Sequence, residues 1–251
     1  MFGAMPLVVT WLGQAGFRFE VGERRILVDP FFAEHEDRTY PPPSLDEFGA
    51  GIDWLLVTHE HIDHLDPFSL REVAARSDDL TIVAPAPLEP LVREAAPDTR
   101  FTGVDRGDRV ELPGAGVCTV VPAIHGPTVA HGYPDDPAFV GYVFELAGTS
   151  LYHAGDTIVT DELTAALKPL HVGVALLPIN GRDPERESRG IVGNMDASEA
   201  AELALDLGAS RLVPYHWDGF RGNTVPPGTV VDAAAGRLHV VVPARFETFE
   251  L

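Results

Sequence analysis

Three histidines and an aspartate fall within six residues of this chain, as His59-x-His61-x-Asp63-His64. Neutral imidazoles and a carboxylate crowded this closely suit one or two divalent ions of the zinc or manganese type. A hard, all-oxygen calcium cage would use a different ligand set. The plain alternative is a solvated, histidine-rich turn. What precedes and follows the cluster argues for a built site. Residues 53–57 are an apolar run that reads as a buried strand. Residues 65–73 read as a helix start, with Asp66 able to accept from the free amides of the first turn. Pro67 stands at the first helical position, where a missing N–H costs nothing. The cluster therefore occupies a strand end just ahead of a helix.

Three further ligand types stand at strand ends downstream. His125 follows the apolar residues 120–124, Asp156 follows residues 151–155, and His216 follows residues 212–215. Singly, each reads more readily as a structural or surface residue. Their number, order and position behind strands favour a shared site, with His131 an alternative to His125 in the same loop.

The His59-x-His61-x-Asp63-His64 pattern resembles the signature of the metallo-β-lactamase fold. The segments Trp11-Leu12-Gly13-Gln14-Ala15-Gly16, Leu27-Val28-Asp29-Pro30, Tyr152-His153-Ala154-Gly155-Asp156-Thr157 and Val213-Pro214-Tyr215-His216-Trp217-Asp218 extend the likeness over nearly the whole chain. It is nearest the UlaG-like branch, which contains L-ascorbate-6-phosphate lactonase. The resemblance implies a four-layer αββα sandwich and two divalent ions, zinc or manganese. It assigns His59, His61 and His125 to one ion and Asp63, His64 and His216 to the second, with Asp156 bridging. Two ions about 3.5–4 Å apart make a bridging hydroxide available near neutral pH, and Asp63 is then the catalytic group that orients it or shuttles its proton. Imidazole ligands need partners behind them. Asp29 is the candidate, because the family keeps an acid there. His153 reads equally as an inward-facing partner or as a satisfied core histidine.

Composition narrows the chemistry. The chain has 251 residues, 45% of them hydrophobic, enough for one large domain with a substantial core. No composition break or repeat divides residues 1–251. The formal net charge is −20 and Lys168 is the only lysine, which argues against a nucleic-acid partner. Cys118 is the only cysteine, so no intrachain disulfide or thiolate-rich zinc site is expected. It lies in an apolar strand pattern and reads as core. With no signal-peptide pattern and no apolar run near the ~20 residues of a membrane span, the expectation is a cytoplasmic protein without a membrane partner.

Residues 7–12, 17–21 and 26–28 read as a hairpin-rich opening, and residues 31–50, with Pro41-Pro42-Pro43, as a long surface loop that could roof a pocket. Helices are expected near 67–76, 88–95, 161–167 and 200–207, the last opened by Asp196 and Glu199 as a capping box. Strands are expected at 80–84, 109–112, 116–124, 140–146, 150–153, 172–177, 211–215, 238–242 and 246–249. Two runs of strands, each passing into strand–helix alternation, imply two sheets face to face with helices outside.

The polar loop 180–194 carries Arg182, Arg186 and Arg189, whose forked donors suit phosphate or carboxylate groups; for any one of them, balancing Asp183, Glu185 and Glu187 in a surface loop is the more ready reading. Asn180, Arg182 and Asn194 are the candidate substrate contacts, and Trp217, Phe220 and Arg221 candidates for the pocket mouth. The leading expectation is a hydrolase opening a lactone or similar cyclic ester of a small molecule. A small-molecule phosphodiesterase and a non-catalytic metal-binding scaffold are the alternatives. The family's assembly through exposed helices leaves a homo-oligomer open.

Overall fold

The computed structural model describes residues 6–126, 136 and 138–251. Most of the loop expected around Gly126–Pro137, His131 included, lies outside the described residues.

The first half of the chain supplies β1 (Leu7–Gly13), β2 (Gly16–Val21), β3 (Arg24–Val28), β4 (Trp54–Leu56), β5 (Thr81–Pro85) and β6 (Arg100–Val104). The second half supplies β7 (Arg109–Leu112), β8 (Gly116–Pro122), β9 (Val140–Leu146), β10 (Thr149–His153), β11 (Val174–Pro178), β12 (Arg211–Tyr215) and β13 (His239–Val240), and β14 (Thr248–Glu250) returns to the first sheet. The sheet orders are β14-β1-β2-β3-β4-β5-β6 and β13-β12-β11-β10-β9-β8-β7. Each begins as antiparallel hairpins and continues as parallel strands: β3 to β6 in one, β10 to β13 in the other.

Period-2 alternation explains the layers. In β2, Phe17 and Phe19 enter the core between the sheets and meet Phe144 of β9, with the Phe19 and Phe144 rings 5.3 Å apart. Cys118 lies in the same layer, fully buried, and burial pushes its thiol up, so the expected core role holds. The outer face of the first sheet is covered by α2 (Pro67–Ala74) and α3 (Glu89–Ala95). That of the second is covered by α4 (Asp161–Leu167), α6 (Ala197–Asp206) and α7 (Gly228–Ala234). The result is the αββα sandwich.

Two helix starts follow the sequence rules closely. Asp66 accepts from the Phe68 and Ser69 amides ahead of α2, with Pro67 at the first position. Asp196 and Glu199 close a reciprocal capping box on α6. Elsewhere the structure is richer than expected. The loops at 31–50 and 180–194 contain short helices, α1 (Leu45–Phe48) and α5 (Pro184–Ser188). Strand β6 has only exposed or half-covered residues until Val104, and α7 opens without a side-chain cap, so neither carries a strong local signal. The strand expected over 116–124 stops at Pro122, since proline has no N–H to continue a ladder. Among the described residues, no helix is long and apolar enough to cross a membrane.

Candidate metal centre

Parallel strands deliver their C-terminal ends to one edge of an open sheet, where sites collect. Here both sheets do so at the same edge. The end of β3 brings Asp29, β4 leads to Thr58 and the histidine cluster, β8 to His125, β10 to Asp156 and β12 to His216. Two tyrosines brace this edge, the first across the two sheets and the second within the second sheet. Tyr142 Oη on β9 donates to the Val57 carbonyl at 2.7 Å, and Tyr215 Oη on β12 donates to the Gly155 carbonyl. Gly155 has φ +62°, and a Cβ there would lie 2.9 Å from Thr58 Cβ, so only glycine lets these loops meet.

The seven expected ligand residues converge. One group consists of His59, His61, His125 and Asp156, the other of Asp63, His64 and His216; within each, one ligand atom per residue lies within 4.8 Å of the others. Asp156 sits between them. Its Oδ1 is 3.4 Å from His64 Nε2, and its Oδ2 is 3.4 Å from His125 Nε2 and 3.3 Å from His216 Nε2. Asp63 Oδ2 is 3.3 Å from His216 Nε2 and 3.7 Å from His64 Nε2.

Asp29 stands where the resemblance placed it, directly behind His64. It is fully buried with φ +45°, a left-handed conformation that aspartate tolerates. Its Oδ1 accepts from the Thr58 amide at 2.8 Å, and its Oδ2 accepts from Thr58 Oγ1 and His64 Nδ1, both at 2.7 Å. With His64 Nδ1 donating there, Nε2 faces the two ligand carboxylates. Since Thr58 Oγ1 gives its proton to Asp29, it is left to accept from His59 Nδ1 at 3.0 Å, which leaves His59 Nε2 as a lone pair toward the centre. That Nε2 is 3.1 Å from His61 Nδ1. His59 also stacks on Phe139, ring centroids 4.9 Å apart.

His153 resolves as a core histidine. Nδ1 accepts from the Gly155 amide at 3.2 Å, so Nε2 carries the proton and donates to the Ala15 carbonyl at 2.9 Å. Burial lowers its pKa, in keeping with a neutral ring.

The electrostatics divide the cluster. Burial pushes His59 well below its ordinary value and His125 down to about 4, so both are neutral imidazoles near pH 7. Burial would lower His64 and His216 too, but Asp156 and its neighbours override it. His64 is held well above the ordinary histidine range and His216 is lifted to about 9. Burial raises Asp63 and Asp156, yet the adjoining histidines dominate and hold both below the usual carboxylate range. This pocket draws in positive charge. His64 Nε2, Asp156 Oδ1 and His125 Nδ1 are buried without a hydrogen-bond partner, a condition a native interior rarely leaves uncompensated. A nitrogen and carboxylate donor set with orphaned ligand atoms fits divalent ions of the zinc or manganese class.

Gln14 belongs to the site and was not among the expected residues. It occupies the β1–β2 turn with φ +48°. Its Nε2 donates to Asp63 Oδ2 at 2.8 Å and lies 2.9 Å from His216 Nε2, while its carbonyl accepts from the His216 amide at 3.2 Å. Gly219 makes the room, for a Cβ there would fall 1.8 Å from Gln14 Oε1. The available signal was a polar side chain inside an otherwise apolar, glycine-rich turn.

The candidate substrate contacts engage one another and their own chain. Arg182 forms a two-pronged pair with Glu199, both distances 2.6 Å, and donates to the Asn194 carbonyl. Asn194 Nδ2 donates to Asn180 Oδ1 at 3.0 Å, and Asn180 Nδ2 to Asn223 Oδ1 at 3.1 Å. Asn180, Arg182 and Asn194 form an internal network and do not line the cleft beside the ligand cluster. Arg182→Lys should therefore lower stability by about 1 kcal/mol in urea unfolding, through loss of the fork, without reducing affinity for inorganic phosphate. At the mouth, Phe220 and Arg221 line the cleft as expected, whereas Trp217 packs against Trp11, 5.1 Å between rings.

The cleft itself encloses about 330 Å³ over His61, Asp63, His125, Asp156 and His216. The 31–50 segment reaches its wall through Asp37, clasped to the opposite loop by Arg221 N to Asp37 O (2.9 Å) and Thr39 N to Gly219 O (3.1 Å). A depression of about 350 Å³ between the ends of α2 and α3 is lined by residues such as Arg71, Ser77 and Asp98 and contains none of the clustered ligands, so volume alone does not select the site.

Residues 24–217 match the family model described as a beta-lactamase superfamily domain. The chain belongs to the metallo-β-lactamase superfamily. Among its superfamily relatives is the UPF0173 metal-dependent hydrolase PF1764 of Pyrococcus furiosus, 33% identical over 249 residues and covering 97% of this chain and 99% of that one. The UPF0173 metal-dependent hydrolase of Thermococcus onnurineus is also 33% identical, over 87% of this chain and 86% of its own. Among solved structures of the superfamily fold, Igni18, a metallo hydrolase from Ignicoccus hospitalis, matches with a TM-score of 0.75 at 23% identity, covering 98% of both chains. An isothiocyanate hydrolase from Delia radicum gut bacteria matches at 0.76 and 16% identity, covering 96% of this chain and 98% of that one. At such identities these two show the shared fold.

Proposed function

We propose that this superfamily member is a dinuclear metal-dependent hydrolase that opens a lactone or other cyclic ester of a small molecule. The observation that carries this is the position of Asp156, within 3.4 Å of ring nitrogens from both ligand groups. His59, His61 and His125 would hold one ion, Asp63, His64 and His216 the other, with Asp156 shared. When bound, the ions supply an activated water and polarise the attacked carbonyl.

The chain's own residues supply the rest. Asp29 and Thr58 fix the ring orientations of His59 and His64. Gln14 holds Asp63 Oδ2, which restricts how that carboxylate can turn. The Asp63 side chain is 14% exposed against 4% for Asp156, so Asp63 is the acid that water and substrate reach. This suits Asp63 to accept a proton from the attacking water at a carboxylate oxygen. A net charge of −20 supports a small-molecule substrate over a nucleic acid.

The test joins metal analysis to activity. The purified chain should contain about two equivalents of zinc or manganese by mass spectrometry, and His61→Ala should lose more than about a hundredfold in lactone hydrolysis while remaining folded. A His61→Ala protein with full activity would sink the ligand assignment.

A further inference from the structure

We propose that the cleft selects a neutral ester or lactone bearing an aliphatic side chain and discriminates against substrates carrying phosphate or carboxylate. This deepens, and rests on, the hydrolase reading above.

The argument begins with the arginines that sequence alone offers to an anion. Arg182 and Arg186 are held by acids of their own chain, and Arg189 stands outside the cleft lining. Arg182 is forked onto Glu199, and Arg186 donates to Asp183, to the Asn180 carbonyl at 2.8 Å and to Asn223 Oδ1 at 2.9 Å. Arg189 lies 4.0 Å from Glu185. Their role is that of struts. Arg182 grips the Asn194 carbonyl, and the Ile191 amide donates to the Arg186 carbonyl at 3.0 Å. Gly193 lies against Arg182 so closely that a Cβ would meet Arg182 Cβ at 2.4 Å. These contacts hold residues 190–193 as a wall, and what the wall presents to the cleft is Ile191 and Val192.

The remaining lining points the same way. Phe220 and Ile62 face the same space, and Ile62 is 49% exposed, unusual for a large aliphatic side chain beside a buried charge cluster. Among the described residues that line the cleft, Arg221 is the only arginine or lysine. Its guanidinium donates to the Glu36 carbonyl, and its neighbour in the lining is Asp37. An anionic substituent held away from the ligand cluster would lose water against Ile191, Val192 and Phe220 and face Asp37. An alkyl chain in the same place would gain by leaving water.

In the reaction, the water oxygen bonds to the carbonyl carbon and the ring C–O bond breaks. The departing alkoxide takes up a proton and a hydroxy acid leaves.

The experiment uses the full, zinc-loaded chain. Kinetics are measured on γ-lactones with alkyl side chains of increasing length and on the same ring carrying a carboxylate or a phosphate. Saturation-transfer NMR reports whether the alkyl protons contact the protein. The expected result is a rise in kcat/KM of up to about fourfold per methylene until the cleft is filled, and at least a tenfold disadvantage for either charged ring. Ile191→Lys should reduce both the alkyl saturation transfer and that disadvantage. Charged rings turned over as well as neutral ones, or no saturation transfer to the alkyl chain, would overturn the selection. Saturation transfer without turnover of any lactone would uphold the selection and overturn the hydrolase reading.

Discussion

Asp156→Asn is expected to reduce bound metal from two equivalents to one or fewer and to cut hydrolysis by at least about a thousandfold, with the sandwich intact. The carboxylate is 4% exposed and stands 3.3–3.4 Å from His64, His125 and His216. Among the described residues, it is the carboxylate that lies within 3.4 Å of ring nitrogens from both ligand groups. An amide of the same shape keeps the packing and removes the charge that would balance two cations in a desolvated space. Equilibrium dialysis with zinc reads the stoichiometry, and retention of two equivalents would show that Asp156 is not shared. The chelator-treated wild type offers an independent check. His216 is lifted to about 9 in the folded protein, chiefly by Asp156 against the opposing effect of burial. A raised folded value contributes stability that is fully present below the unfolded histidine value of about 6.5 and lost as pH rises through the folded one. Between roughly pH 6.5 and 9 the chelated wild type should therefore lose stability with rising pH, and Asp156→Asn should flatten that slope.

The second large effect falls on a residue outside the two ligand groups. Asp29→Asn should destabilise the protein by about 3 kcal/mol in urea unfolding and weaken zinc binding by roughly 10–100-fold. Asp29 accepts from the Thr58 amide, the Thr58 hydroxyl and His64 Nδ1 with no exposure to solvent. An asparagine keeps the left-handed backbone that this position adopts, so backbone strain does not confuse the result. It has one acceptor atom for three donors, and its own NH2 group must face at least one of them. Stability within 0.5 kcal/mol of wild type, the range of an ordinary surface substitution, would show that the network tolerates an amide and that His64 is oriented by other means.

The parts of this site that sequence made legible are those whose signal is local. His59, His61, Asp63 and His64 share one turn, and Asp66-Pro67 announces the helix behind them. His125, Asp156 and His216 are legible as strand-end residues, although what gathers them is the pairing of two sheets. The contributors that escaped act across that pairing. Gln14 reaches Asp63 and His216, forty-nine and 202 positions away. Tyr142 reaches Val57 over 85 positions. No window of sequence contains both partners. Of the arginines in the 180–194 loop, Arg186 and Arg189 have the local acids Asp183 and Glu185 that the loop itself offers, whereas the acid that engages Arg182 lies seventeen residues on, at Glu199 in the capping box of α6. The short helices α1 and α5 and the edge strand β6 were lost because four or five residues, mostly exposed or half covered, carry little periodicity.

The division of ligands between the sheets has a consequence for how the protein is made. His59, His61, Asp63 and His64 are synthesised early, whereas His125 and Asp156 come from the middle of the chain and His216 from near its end. The second group is complete only once β12 has docked, because His216 stands just beyond it, and the first waits on β8 and β10, which lead to His125 and Asp156. On the ribosome, the early histidines emerge as an incomplete and weakly selective set, open to whatever ion is abundant. Selectivity can arise only once the second sheet closes and sets the geometry. Loading is thus tied to the slow, long-range steps of folding, and the ion acquired in the cell is expected to depend on which metals are present while the nascent chain is being completed.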